Sequence, residues 1–202
     1  MTTAILPLET IAPRTEDADL VLVRAMARGD ARALETLYAR HGSGVLSYLA
    51  GRVGDRALAE EVLQDVMLAA WRHAGAFRGD ARVRTWLLTV AHHRAVNAIR
   101  RHRPVTVALD AAPRALDIGP SEPADSAGER TDLRRAIATL PDDQRAALEL
   151  VFFHELSIAE AAGVLGVAEG TVKSRLHRAK HTLRGRLEPA ALHDADHDGG
   201  PR

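Results

Sequence analysis

The densest set of functional side chains lies near the end of the chain, in GTVKSRLHRAK, residues 170–180. Thr171, Lys173, Ser174, Arg175 and Arg178 put two hydroxyls, an ammonium and two guanidiniums within eight residues. These groups donate hydrogen bonds to phosphate oxygens and base edges; their chemistry is recognition of a polyanion, not covalent catalysis. A second set, Arg78, Arg82, Arg84, Arg94, Asn97, Arg100 and Arg101, surrounds Phe77 and Trp86. So dense a set of cations suits contact with a polyanion, and the two rings fit a helical core. No Gly-rich phosphate loop, nucleophile elbow or paired catalytic carboxylates occur, and there are no cysteines. The expectation is therefore a protein that is not an enzyme and needs no cofactor. His177 and His181 stand four apart without a third ligand nearby, and His154-Glu155 lacks the second histidine of a zincin motif, so no metal site is expected.

Charge points the same way. The 202 residues carry 27 basic and 27 acidic side chains, so the net charge is zero. Yet residues 78–103 hold seven arginines against Asp80, and residues 171–187 hold six cations and no acid. Two separated segments of net +6 suit a protein that touches nucleic acid at two places. No run of 18 apolar residues is present, and the first residues lack a basic start and a long apolar stretch. The expectation is a cytoplasmic protein with no membrane insertion.

The elements that must hold these residues are helices. Aromatics are only 3% of the chain, so the cores rest on Leu, Val, Ile and Ala. From residue 17 to 103 apolar positions recur at helical spacing. Leu20, Val23 and Ala27 make one stripe; Ala33, Leu34, Leu37 and Tyr38 follow Asp30 as a cap. Leu58, Val62, Leu63, Val66 and Ala70 follow Asp55, with Glu60, Glu61, Gln64 and Asp65 largely outward. AGAFRGDAR reads as a loop, and a helix from Val83 ends in RRHRP. Residues 104–130 are acidic, contain Pro104, Pro113, Pro120 and Pro123, and show no sustained period, which reads as a flexible linker. Residues 1–16 and 188–202 read as disordered ends. The block 131–187 contains a helix-turn-helix. Ser157 and Glu160 form a capping box, Gly166 suits a left-handed turn, Ala162 is small at a helix crossing, and Val172 locks the second helix on the first.

With those residues in place, a resemblance follows. LPDDQRAALELVFFHELSIAEAAGVLGVAEGTVKSRLHRAKHTLRGRL closely resembles region 4 of bacterial sigma-70 factors. DADLVLVRAMARGDARALETLYARHG, AEEVLQDVMLAAWRHAGAF and RTWLLTVAHHRAVNAIRRHR resemble region 2. Two blocks in this order with no domain between them resemble the extracytoplasmic-function (ECF) group. The resemblance implies an all-α protein of two small helical domains, residues 17–103 and 131–187. It implies core RNA polymerase as partner, met at the clamp helices of the largest subunit through Glu61, Gln64, Asp65 and Arg72, and at the flap of the second-largest subunit. It implies reading and melting of a −10 element by Phe77, Arg78, Arg82, Arg84, Trp86, Arg94, Asn97, Arg100 and Arg101. It implies binding of a −35 duplex by Thr171, Lys173, Ser174, Arg175 and Arg178, and an anti-sigma factor as a further partner. The chain departs from the family pattern at His92-His93-Arg94 and Asn97, at Met67 and at Ala161. The alternative is a stand-alone helix-turn-helix regulator, which leaves the first block without a role; a helical scaffold does not need the GTVKSRL spacing.

Overall fold

A computed structural model describes residues 15–102, 133 and 135–187. The expected linker and C-terminal tail lie outside these residues, as does the chain before Thr15. All regular elements among the described residues are helical. None is long and apolar enough to cross a membrane.

Local chemistry sets the boundaries of the first block. Helix α1 spans Thr15–Ala27, beginning two residues before the expected start. Gly29, at φ 90°, turns the chain after it. Asp30 then caps α2, Ala31–Val53, its carboxylate accepting from Arg32 N at 3.0 Å. α2 runs unbroken through Gly42 and Gly44, and Gly54 ends it in the left-handed conformation. Asp55 caps α3, Arg56–His73, by accepting from Leu58 N at 2.8 Å. A single 3₁₀ turn, Ala74–Ala76, leads into the loop before α4, Val83–His102. Along α4 the inner face is Val83, Leu87, Leu88, Ala91, Ala95 and Ala98, and its alanines let neighbouring helices approach closely.

Two stripes differ from the sequence reading: on α2, Tyr38 is exposed rather than inward, and α1 is offset. Val23 is buried, but Met26 rather than Ala27 takes the next inward position, because the covered face includes Asp19 as well as Val23, and Met26 lies within about 60° of both while Ala27 lies about 80° from Asp19. Asp19 shares that face, where its carboxylate bonds Arg40 and the His41 Nε2 (2.7 Å).

The second block starts with a helical turn at 135–138. Helix α5, Asp142–Leu148, follows Pro141, with Asp142 and Asp143 placed favourably at its positive end. A π-helical turn, Glu149–Phe153, continues it, so that Leu150 points inward while Phe152 and Phe153 are exposed. Helix α6, Ile158–Leu165, opens with the expected capping box: Ser157 Oγ accepts from Glu160 N, and the Glu160 carboxylate accepts from Ser157 N at 2.9 Å. Gly166, at φ 65°, makes the turn into α7, Glu169–Leu187. Ala162, Val172, Leu176 and Ala179 are buried where these helices cross. Ser157→Ala removes one half of the box and is expected to lower stability by about 1 kcal/mol, read as a drop in unfolding midpoint at an unchanged m-value.

The two blocks share one continuous apolar cluster, with α6 lying against α4. The sequence reading contains no such contact.

Candidate nucleic-acid interface

The first basic surface is built on α4 and the loop before it. Phe77 and Trp86 stack on each other, ring centroids 4.8 Å apart at 29°. Both are half-buried, packed against the core on one side and lining a surface pocket of about 470 Å³ on the other. Each ring is thus both part of the core and a wall of the pocket. His73, Arg78, Asp80 and Thr89 complete the rim. Arg78, Arg94, Asn97, Arg100 and Arg101 are exposed.

The second basic surface is α7. Lys173, Ser174 and Arg178 are exposed, while Thr171 and Arg175 are half-buried. Arg178 donates from Nε to the Ser174 carbonyl at 3.3 Å, and the Ser174 hydroxyl donates to the Thr171 carbonyl at 2.9 Å. Arg175 is drawn back onto α5 by Asp143 at 3.1 Å.

Along α3, Glu61, Gln64 and Arg72 are exposed and Asp65 is half-buried. They form a polar ridge on a helix that packs against α1, α2 and α4.

The residues of the first surface that sequence reasoning placed at the start of α4 meet the second block. Thr85, buried, donates its hydroxyl to Glu160 Oε1 at 3.0 Å, and Arg82 lies 3.6 Å from the same oxygen. Burial raises the Glu160 pKa, but bonds from the Ser157 N–H and hydroxyl, from Thr85, and the charge of Arg82 outweigh it and leave the group below its ordinary value. That tie is present while Glu160 is charged and weakens as pH falls through its lowered value. Arg84 Nη2 lies 3.5 Å from His154 Nδ1. His154 meets Tyr48 edge-on at 5.5 Å, and the Tyr48 hydroxyl bonds His92 Nδ1 at 2.8 Å. Burial pushes both His92 and His154 down to about 4, and raises the Tyr48 phenol. Both histidines are packed within the fold, and no group of three side chains able to hold a metal occurs among the described residues. Sequence reasoning missed Thr85, Glu149 and His154 as interface residues; no local signal marks them, because their partners lie 70 or more residues away or on another helix.

Comparison with known proteins supplies the context. A family model described as Sigma-70 region 2 matches residues 37–105, and one described as Sigma-70, region 4 matches residues 130–183. The ECF RNA polymerase sigma factor SigM of Mycobacterium tuberculosis is 38% identical over 174 residues, covering 84% of this chain and 85% of that protein. The ECF RNA polymerase sigma factor SigL of the same species is 35% identical over 169 residues, covering 82% and 95%. Among solved structures, CnrH, in complex with the cytosolic domain of CnrY, superposes with a TM-score of 0.63 at 26% identity, covering 87% of this chain and all of that one.

Proposed function

Because the chain belongs to the ECF group of sigma-70 RNA polymerase sigma factors, we propose that its two basic surfaces divide promoter recognition between them. The protein binds core RNA polymerase and directs promoter-specific initiation. Residues 17–103 would act as the polymerase-binding and −10 domain, residues 131–187 as the −35 domain, and residues 104–130 as the connection. Bond-making chemistry then belongs to the polymerase, and the chain supplies binding alone, in the cytoplasm.

The observation that carries this division is the pocket beside α4. Its stacked rings offer an aromatic wall, and Arg78 a cation, at a size that accepts one base. Extruding a base from a duplex costs a few kcal/mol, which stacking and phosphate contacts return. Arg82, Arg84, Arg94, Asn97, Arg100 and Arg101 would track the flanking strand. On α7, Thr171, Lys173, Ser174, Arg175 and Arg178 would enter the major groove of the −35 duplex. A stand-alone regulator needs neither the pocket nor the α4 cations. An anti-sigma partner is inferred from CnrH, which is held by the cytosolic domain of CnrY.

Run-off transcription with purified core polymerase on pooled GC-rich promoter fragments tests the reading. Discrete transcripts that depend on added protein support it, and tight duplex binding without polymerase association replaces it with the stand-alone regulator. The α3 ridge has its own test. Asp65→Arg places a cation in a surface proposed to meet the clamp helices and is expected to weaken core association at least tenfold, with helicity unchanged. Wild-type affinity in a titration with labelled core enzyme would remove Asp65 from the interface.

A further inference from the structure

The contact between the blocks contains a group that neither promoter recognition nor ordinary packing accounts for. Glu149, in the π turn after α5, is 3% exposed. Neither carboxylate oxygen has a hydrogen-bond partner. The carboxyl rests on Gly51 of α2: a Cβ built there would lie 2.8 Å from Oε1, and the three atoms nearest to it all belong to this carboxyl. Any side chain at position 51 would press on this carboxyl and oblige it to shift. Tyr48 and Arg52 from α2 and Asp142 and Arg145 from α5 are near enough to act on its charge, and Tyr48 in turn bonds His92 of α4. Arg52 uses Nη1 on the Asp142 carbonyl at 2.8 Å, bridging the blocks without reaching Glu149.

The same contact occupies promoter-reading residues. Glu160 engages Arg82 and Thr85, His154 faces Arg84, and Arg175 is close enough to His92 to act on its charge. We propose that the helix-turn-helix block folds back on α2 and α4 as an autoinhibitory clasp, with the Glu149 carboxyl on Gly51 as the latch whose charge sets how tightly it closes. This rests on the sigma reading above, since masking has meaning only if α4 and α7 bind DNA.

The latch is also the weak point of the clasp. Burial pushes the Glu149 carboxyl up to about 7, in spite of Arg145 and Arg52. Closing favours the protonated form, so closure is lost as pH rises from the ordinary carboxylate value to about 7. His92 and His154 act in the opposite sense: each is held near 4, so closure is lost as pH falls below the ordinary histidine value of 6.5. Closure therefore peaks near pH 6.5. The full Glu149 shift, spread between the ordinary carboxylate value and about pH 7, corresponds to about two orders of magnitude in the closed-to-open ratio; below pH 6.5 the two histidines offset it, and at pH 8 all of it is lost.

The absence of cysteines allows clean labelling of the full chain. Glu35→Cys on α2 and Arg184→Cys near the end of α7 lie at exposed positions and spare every residue proposed to contact polymerase or a base. Spin-label distances between them read the clasp directly. At pH 8, Glu149→Gln is expected to shift the population to the short distance and to abolish the alkaline loss of closure. Gly51→Leu, a better helix former than glycine, wedges the seat and is expected to shift the population to long distances, with circular dichroism confirming an intact fold. In parallel, Gly51→Leu should bind promoter DNA as free protein more tightly than wild type, and Glu149→Gln less tightly. Wild-type distances in both variants overturn the latch, and shifted distances with unchanged DNA binding overturn the masking. Failure of run-off transcription by every form, wild type included, would count against the sigma reading instead, because the distances need no polymerase.

Discussion

Val172→Asp is expected to unfold the helix-turn-helix and abolish −35 duplex binding. Val172 has 0% exposure and lies in the second turn of α7, inside the cluster shared with Ala161, Ala162, Val164 and Leu176. An aspartate there loses the apolar burial and gains a carboxylate with no cation among those neighbours. An unpaired buried charge combined with lost packing puts the cost at about 4 kcal/mol or more, a large part of the stability of a small helical domain. Circular dichroism should show partial loss of helix. Core polymerase association should persist, because the α3 ridge is built on α1, α2 and α4 alone. Full duplex binding by the variant would show that α7 does not read the −35 element as an ordered helix.

Trp86→Ala carries the second large effect, and it separates melting from docking. Trp86 forms one wall of the pocket and half of the stack with Phe77. If a base enters the pocket, losing that wall removes roughly 1–3 kcal/mol of stacking, which is about ten- to a hundredfold in open-complex formation. Duplex binding through α7 should be unchanged. The discriminating measurement compares run-off transcription on an ordinary promoter with one carrying a pre-melted bubble at the −10 element. Stacking predicts a defect on both. Equal activity of variant and wild type on both templates would leave Trp86 as core alone. Because Trp86 also packs against the core, Trp86→Phe provides the control: it keeps an aromatic face and should recover most of the activity.

What could be read from the sequence followed the range of the interactions. Asp30, Asp55, Ser157–Glu160 and Gly166 act within four residues of themselves, so cap and turn chemistry placed them correctly. The stripes Val62, Leu63, Val66 and Ala70 and the buried Val172 follow from the helical period. Met26 shows the limit of that method, since an i+3 and an i+4 position compete for one face and the neighbouring helix decides. The π turn Glu149–Phe153 was invisible because it rotates the residues after α5 out of the regular period. The clasp was invisible for a different reason: Gly51 and Glu149, or Thr85 and Glu160, meet across 75 or more residues. A glycine inside a helix pattern and an acid near a helix end are unremarkable until the fold brings them together. The pocket falls between these cases, since the sequence supplied its rings and cations but not that the rings stack.

The two sides of α4 are under unlike constraints. Ala91, Ala95 and Ala98 have 0% exposure, so one added methylene on that side must displace a neighbouring helix. On the other side Arg94, Asn97, Arg100 and Arg101 project outward, and an exchange there alters contacts made outside the molecule at little cost to folding. The helix thus behaves like a typebar: its shank has fixed dimensions while its face can be recut. Where that face reads the −10 element as proposed above, a lineage would change the promoters it serves through substitutions there, and duplicated copies would diverge in regulon while keeping one interchangeable frame.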